Sequence, residues 1–427
     1  MLVQFSFRNF KSFKSDTKMS CVSVGGRNNE KYAISTPFRY SVLKSVGVYG
    51  ANASGKTKLF EAFKFMRCVI CPPRRENKIP VFDYWQTKYD PFRLSTQSTS
   101  DNSVFEVVFI IDGIQYRYGF ELNAKGIELE WLFQKQRREI KVLTRDKNLK
   151  TYINPKSINE KVADMIRSAS MMSETVPFIS ILSTFNDPLC RKIVDWFKLV
   201  TVISANDIAS VPALENAEKT EAIVKFLKAF DFNIENLSLH QLSVDEIPDK
   251  IKSIIKFDES KGRIYDGIQV KHNVYNELYE RDSEINFKLE VDESFGTNRL
   301  FHLSWPIIST IRNNGVLMID EIDSGIHPNI VQTIIALFNN SNNNGAQLIF
   351  NTQNTNLLST KEVDGTLLLR KDQIFVANKN RYGESSITPI IEISNDLRSN
   401  IEKSYLSGDV TGIPYINSDA IDAILNY

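Results

Sequence analysis

Apolar and polar positions along this chain follow two different rhythms. Residues 1–10 alternate apolar and polar side chains, and residues 104–111 and 114–121 continue in the same strand-like manner, separated by Asp112-Gly113, a pair that favours a tight hairpin turn. Residues 45–49, 315–321 and 346–352 instead carry continuous apolar runs, which predict buried strands; the second of these ends in two carboxylates. Residues 58–66 place apolar side chains at helical spacing. Between about 154 and 256 the pattern turns mostly helical, with amphipathic stretches at 218–229 and 247–255, and no sustained heptad runs through it. A compact insertion is expected there rather than a long coiled coil. Strands return at 267–274 and 285–291, followed by an apolar stretch at 300–311, where Pro306 predicts a kink or a fresh helix start. The expected organisation is α/β: a first lobe over 1–153, a mainly helical insertion over 154–262 and a second lobe over 263–427.

Composition narrows the classes. With 427 residues, 42% hydrophobic and 24% charged, the chain has enough material for a full core and two domains. No apolar run approaches the roughly 20 residues of a membrane span. The first residues have neither the basic region nor the cleavage site of a signal peptide, so a cytoplasmic protein with no membrane partner is expected. Four cysteines make no disulfide framework; Cys68 and Cys71 form a C-x-x-C without a second pair, and Cys21 and Cys190 stand alone, so all four read as core or surface thiols. His240, His272, His302 and His327 show no ligand spacing. A net charge of +1 creates no bulk field for nucleic acid. Local basic clusters at Arg74-Arg75, at Lys135 with Arg137-Arg138, and at Lys141 with Arg145 and Lys147 leave a direct nucleic-acid contact open.

The candidate chemistry is concentrated in Gly50-Ala51-Asn52-Ala53-Ser54-Gly55-Lys56-Thr57, a G-x-x-x-x-G-K-[ST] phosphate-binding loop between a predicted strand and a predicted helix. Glycines at both ends let successive N–H groups turn inward towards a phosphate, and the helix adds the positive end of its dipole. Lys56 is expected to bridge the β- and γ-phosphates of ATP, and the Thr57 hydroxyl to hold Mg²⁺. The strand ending at Asp320-Glu321 supplies a second carboxylate-bearing half: Asp320 for Mg²⁺ through its water shell, and Glu321 as the general base for the attacking water.

Three further segments resemble the ABC and SMC ATPase superfamily. The turn from Asp292 through Ser294, Phe295 and Gly296 to Leu300 is similar to its signature motif, which implies that Ser294 and Gly296 contact the γ-phosphate held by an opposite subunit. Ile322-Asp323-Ser324-Gly325-Ile326-His327-Pro328 resembles the D-loop, with Asp323 acting in the same composite site and Pro328 suited to a helix first turn. Where the superfamily usually places a switch histidine, this chain has Gln353. A glutamine donates a hydrogen bond to the same oxygen but carries no proton or charge at neutral pH, so slow turnover with binding intact is expected.

Together with the opening Phe-Arg-Asn-Phe-Lys-Ser-Phe, the stretch Asp90-Pro91-Phe92-Arg93-Leu94 and the tail Tyr405-Leu406-Ser407-Gly408 with Gly412-Ile413-Pro414, these motifs resemble the ABC-type AAA ATPases of prokaryotic anti-phage defence, including RloA, the abortive-infection ATPases and the AriA component of PARIS. The resemblance implies an ABC-type P-loop ATPase head of two lobes, a homodimer or higher homo-oligomer that sandwiches ATP, a phage trigger, and a separate toxic effector, usually a nuclease. About seventy residues follow Gln353, fewer than a nuclease domain needs, so the effector is expected on another chain. A RecF-like DNA-repair ATPase and a non-hydrolysing clamp or transporter subunit are the alternatives.

Overall fold

The computed structural model describes residues 1–24, 30–73, 84–204, 207, 211–242, 264–393, 401–410 and 412. They form two compact units: Met1–Ser204 with Asn313–Ile322 and Gln332–Tyr427, and Ala205–Arg312 with Asp323–Val331. The amphipathic stretch expected at 247–255, the pair Arg74-Arg75 and Ile413-Pro414 of the tail lie outside the described residues.

In chain order the first unit opens with β1 (Leu2–Arg8), β2 (Thr17–Ser20), β3 (Ala33–Ser35), β4 (Ser41–Leu43) and β5 (Ser45–Tyr49), then the helix α1 (Lys56–Ile70). There follow β6 (Ser103–Ile111), β7 (Ile114–Leu122), β8 (Ile127–Lys135), β9 (Glu139–Asp146) and β10 (Thr151–Ile153). Strands β1, β2 and β6–β10 build a seven-stranded sheet in the order β10-β9-β8-β7-β6-β1-β2, antiparallel at every described pairing. The hairpin expected at Asp112-Gly113 is present: Ile111 pairs with Ile114, and both turn residues have positive φ, +48° and +75°, as a type I′ turn requires. Two of the recognition stretches meet here, since the buried Asn9 side chain accepts the Phe92 N–H at 3.1 Å and donates to Ser98 O at 2.7 Å.

The next helices, α2 (Glu160–Ser168), α3 (Phe178–Thr184) and α4 (Pro188–Lys198), belong to this same unit. The opening segment of that unit runs on to Ser204, past the start of the insertion expected at 154. The reason is packing. Trp196 stacks on Phe109 of β6 at 4.1 Å, Ser180 donates to Ile70 O at 2.9 Å, and Cys71 of the former C-x-x-C donates to Val194 O at 3.6 Å. Asp187 caps α4 by accepting the Cys190 N–H at 2.9 Å, with Pro188 in the first turn. One basic cluster is corrected. Arg145 is fully buried and donates to Ser173 O and Val176 O, so it cannot join Lys141 and Lys147 on a surface.

The second sheet of the unit adds β11 (Val200–Ile203), β15 (Val316–Ile319), β16 (Gln347–Asn351), β17 (Ile374–Lys379) and β18 (Ser385–Pro389) to β5, in the order β11-β15-β16-β5-β17-β18. Every neighbour pair is parallel except the edge strand β18. All residues of β5, β15 and β16 are buried, which explains their continuous apolar runs: parallel strands covered on both faces have no polar side to show. Helix α1 buries Leu59, Phe60, Phe63, Phe65 and Met66 in one cluster with β1, β5 and β6, where Phe63 meets Phe5 edge-on at 4.9 Å and Phe65 meets Phe10 at the same distance.

The second unit contains α5 (Ala217–Ala229), the antiparallel strands β12 (Asn236–Leu242), β13 (Ile264–Tyr275) and β14 (Arg281–Lys288), the short α6 (Leu289–Asp292) and α7 (Phe295–Arg312). The strand expected at 285–291 stops at Lys288, because Leu289 turns inward and begins α6. Helix α7 runs through Pro306 without interruption. Lys219 of α5 lies over the Trp305 ring of α7 at 5.2 Å, and Asn216 caps α5 by accepting the Lys219 N–H at 3.0 Å. The helix α8 (Pro328–Asn339) begins at Pro328, as expected. No helix among the described residues is long and apolar enough to cross a membrane.

Candidate nucleotide site

In a parallel sheet the strands end together, and the loops that leave their C-terminal ends share one edge. Here β5 leads into the loop 50–55, β15 leads into Asp320-Glu321, and β16 leads into Thr352-Gln353. Strand β16 lies between the other two, so Ile319 pairs with Phe350 and Asn351 pairs with Val48.

The loop is built on unusual backbone angles. Gly50 and Gly55 have φ of +146° and +109°, and a Cβ would stand 2.4 Å from Ala377 O at the first and 2.5 Å from Ser385 Oγ at the second. Ala53 holds φ +62° despite its side chain, a strain of about 1 kcal/mol that the surrounding loop must hold. Asn52 and Ala53 are exposed at the crest, whereas Ser54 is buried and its hydroxyl has no hydrogen-bond partner. Gly55 caps α1 with no side chain, and the helix's own first turn carries no acidic residue. The Lys56 ammonium donates to Gly50 O at 2.5 Å and Ala51 O at 2.9 Å, which holds a buried cation over the loop.

The Thr57 hydroxyl, in the first turn of α1, donates to Asp320 Oδ1 at 3.1 Å across 263 positions of sequence. The Asn351 side-chain amide donates to the same oxygen, and its Oδ1 accepts the Glu321 N–H at 2.7 Å. Asp320 N–H donates to Ile203 O at 2.8 Å, continuing the ladder. Burial raises the pKa of Asp320, opposed by the hydrogen bonds from Asn351 and Thr57 and, more weakly, by the charge of Lys56. Glu321 sits at φ +52°, turning out of the strand direction. Gln353 is exposed at the same strand-end edge, two residues past Asn351. Sequence reasoning missed Asn351, although one signal was present: an amide ending an otherwise apolar run, in the strand next to the one that carries Asp320.

Ser294, Gly296 and Asp323 lie in the second unit. The Ser294 side chain accepts the Thr297 N–H at 3.1 Å and so caps the 18-residue α7, while Ser294 and Phe295 remain exposed. The signature turn and the 323–327 loop pack backbone against backbone. A Cβ on Gly296 would stand 2.8 Å from Gly325 O, and one on Gly325, at φ +70°, would stand 2.2 Å from the Phe295 ring. Asp323 O accepts the Ile326 N–H at 3.4 Å, which closes that loop.

The donor set fits a small hard cation accompanied by phosphates. One carboxylate and one hydroxyl touching each other are what Mg²⁺ takes from a protein when phosphate oxygens and water complete its shell, and no group of three or more His, Cys, Asp or Glu suited to a metal occurs among the described residues.

A glycine-turned loop opening a helix, on a parallel sheet whose next strand but one is tipped by a carboxylate, defines a P-loop ATPase domain of the ABC/AAA kind. The chain belongs to the AAA_21 family, described as "AAA domain, putative AbiEii toxin, Type IV TA system", whose model matches residues 45–359. No curated protein matches it. Among solved structures it is similar to the SMC head domain from Thermotoga maritima, at 13% identity and TM-score 0.40, over 91% of this chain and 98% of that one. It is also similar to a Pyrococcus furiosus Smc head domain with an extended coiled coil bound to the C-terminal domain of ScpA, at 14% identity and TM-score 0.40, over 95% and 98%.

Proposed function

We propose that this chain binds ATP with Mg²⁺ through Gly50–Thr57 and Asp320, hydrolyses it slowly, and serves as the sensor and scaffold subunit of an anti-phage abortive-infection system that controls a separate effector such as a nuclease. The observation that carries the ATPase part is the contact of Thr57 with Asp320, which joins the phosphate loop to the carboxylate-tipped strand. The family match to an abortive-infection type of AAA domain supports the defence part.

In this reading the N–H groups of residues 52–57 and the Ser54 hydroxyl receive the β-phosphate, and Lys56 offsets charge on the β- and γ-phosphates. Thr57 and Asp320 hold Mg²⁺, which when bound neutralises charge on the phosphate oxygens. Asn351 fixes the peptide of Glu321, whose carboxylate accepts a proton from water as that water bonds to the γ-phosphorus; the bond to the β,γ-bridging oxygen breaks, and ADP and phosphate leave. Gln353 donates a neutral hydrogen bond near the γ-phosphate and adds no charge, which keeps turnover low. Ser294, Gly296 and Asp323 of a second copy complete each site, so hydrolysis requires a homodimer or larger homo-oligomer.

Lys56→Ala is expected to weaken a fluorescent ATP analogue about 100-fold, roughly 3 kcal/mol. Glu321→Gln is expected to retain the analogue, lower hydrolysis by about 10²–10⁴ and accumulate as a dimer in saturating ATP and Mg²⁺, read by light scattering. A monomeric Glu321→Gln protein under those conditions sinks the composite site. Co-purification with the product of the adjacent gene, with and without ATP, tests the effector: an ATP-dependent complex with a nuclease supports the sensor, while a lone protein whose hydrolysis rises with DNA favours the repair ATPase.

A further inference from the structure

Residues 401–410 and Gly412 are not a passive tail. The helix Ile401–Leu406 buries Ile401 and Tyr405, Val410 is buried beyond it, and Gly412 reaches the phosphate loop. The Gly412 carbonyl accepts the Ala51 N–H at 2.6 Å and the Tyr405 hydroxyl at 3.2 Å. The Tyr405 ring meets Tyr49 edge-on at 6.2 Å. This approach needs glycine: at φ +108°, a Cβ on residue 412 would stand 2.4 Å from Val376 Cγ1, and it would also lie 3.7 Å from Gly50 Cα. At the other end, Glu402 accepts the Ser359 hydroxyl, which ties the helix to the turn Thr355–Leu358 just after Gln353.

Ala51 is the peptide on which the loop turns. Its carbonyl accepts both the Ser54 N–H, at 3.2 Å, and the Lys56 ammonium, at 2.9 Å, while its N–H is held by Gly412. We propose that residues 401–410 and Gly412 form a strap that positions the phosphate loop, with Gly412 and Tyr405 as positioning residues, so that strap seating and nucleotide binding stabilise one another. The same strap joins the loop to the segment behind Gln353, which gives the C-terminal residues a direct link to the state of the nucleotide. By linkage, whatever the strap contributes to nucleotide affinity, the nucleotide returns as protection of the strap.

The inference rests on the loop being the nucleotide site, and the test separates the two. Hydrogen exchange of residues 401–410 in the full-length protein is measured with and without a fluorescent ATP analogue and Mg²⁺, and analogue affinity is measured for wild type, Gly412→Val and Tyr405→Phe. The strap predicts exchange slowed several-fold by the analogue in wild type and unchanged in Lys56→Ala. It also predicts affinity lowered about 10-fold by Gly412→Val and about threefold by Tyr405→Phe, the scale of one or two hydrogen bonds. Wild type that binds the analogue without any change in exchange at 401–410 overturns the strap alone, and this arm needs no variant to fold. Gly412→Val that binds as wild type does while its tail exchanges faster does the same. Wild type that fails to bind the analogue overturns the nucleotide reading and the strap with it.

Discussion

Two of the carboxylates buried in the first unit, Glu130 and Asp320, are held in opposite ways. Glu130 of β8 accepts the Phe178 and Ile179 N–H groups at 2.7 and 3.1 Å and the Tyr118 hydroxyl at 3.1 Å, with Arg145 Nε 3.8 Å away. Arg145 in turn spends its other nitrogens on the carbonyls of Ser173, Glu174 and Val176. Charge and helix end are both met within the protein, although the buried Arg145 Nε makes no hydrogen bond, and the pair pins α3 to the antiparallel sheet. Burial and this carboxylate together push the Tyr118 hydroxyl well above its ordinary range. Asp320, at the end of β15, is held chiefly by the neutral donors of Thr57 and Asn351, and its pKa rises because burial outweighs them. The first carboxylate faces a buried guanidinium; the second accepts hydrogen bonds from an amide and a hydroxyl at a strand end, and its burial raises its pKa.

The sharpest way to break this comparison is Arg145→Met. It leaves Glu130 buried and unmatched, and a loss of about 3–5 kcal/mol in chemical unfolding is expected, with analogue affinity of the folded fraction unchanged. The double variant with Glu130→Met should recover much of that loss; a double variant as unstable as the sum of the singles would show that the two side chains do not act as a pair. On the other side, Asn351→Ala frees both Asp320 and the Glu321 peptide. Hydrolysis should fall roughly 30-fold, about 2 kcal/mol, with a much smaller loss in thermal stability. A fall in stability with hydrolysis intact would move Asn351 to the structural class.

Gln353→His tests whether the uncharged side chain limits turnover, and steady-state hydrolysis is expected to rise about 3–10-fold. An unchanged rate would remove Gln353 from the limiting step. The smallest effect is a matter of pH. Because the folded pKa of Asp320 lies above its unfolded value, the native state holds the proton more tightly, so stability is greatest below the unfolded pKa and declines as pH rises through the folded one. Asp320→Asn removes that decline. Without Mg²⁺ or nucleotide it should melt a few degrees above wild type at neutral pH, with the difference vanishing at the acid end; a variant that melts lower at neutral pH would contradict the burial argument.

Much of the fold was legible because the physics behind it is local. The apolar runs of β5, β15 and β16 announced buried strands, Asp112-Gly113 announced the hairpin through its positive φ angles, and Pro328 marked a helix start. The core that α2–α4 join was not legible. Those helices look like any amphipathic insert, and it takes contacts such as the stacking of Trp196 on Phe109 and the Ser180 hydrogen bond to Ile70 to show where their apolar face goes. Arg145 read as part of a basic patch because charge patterns say nothing about a carboxylate fifteen positions earlier on the neighbouring strand.

By itself the sequence marked the candidate phosphate loop, from Gly50 to Thr57, and the carboxylate pair Asp320-Glu321, because both patterns depend on residue type at fixed short spacing. Tertiary structure decided what those residues touch. The parallel register set Asn351 beside Asp320, the end of β15 met the first turn of α1, and Gly412 closed on Ala51 from the far end of the chain. Such contacts join positions hundreds of residues apart, and their energies come from burial and hydrogen-bond geometry that exist only once the sheet has formed.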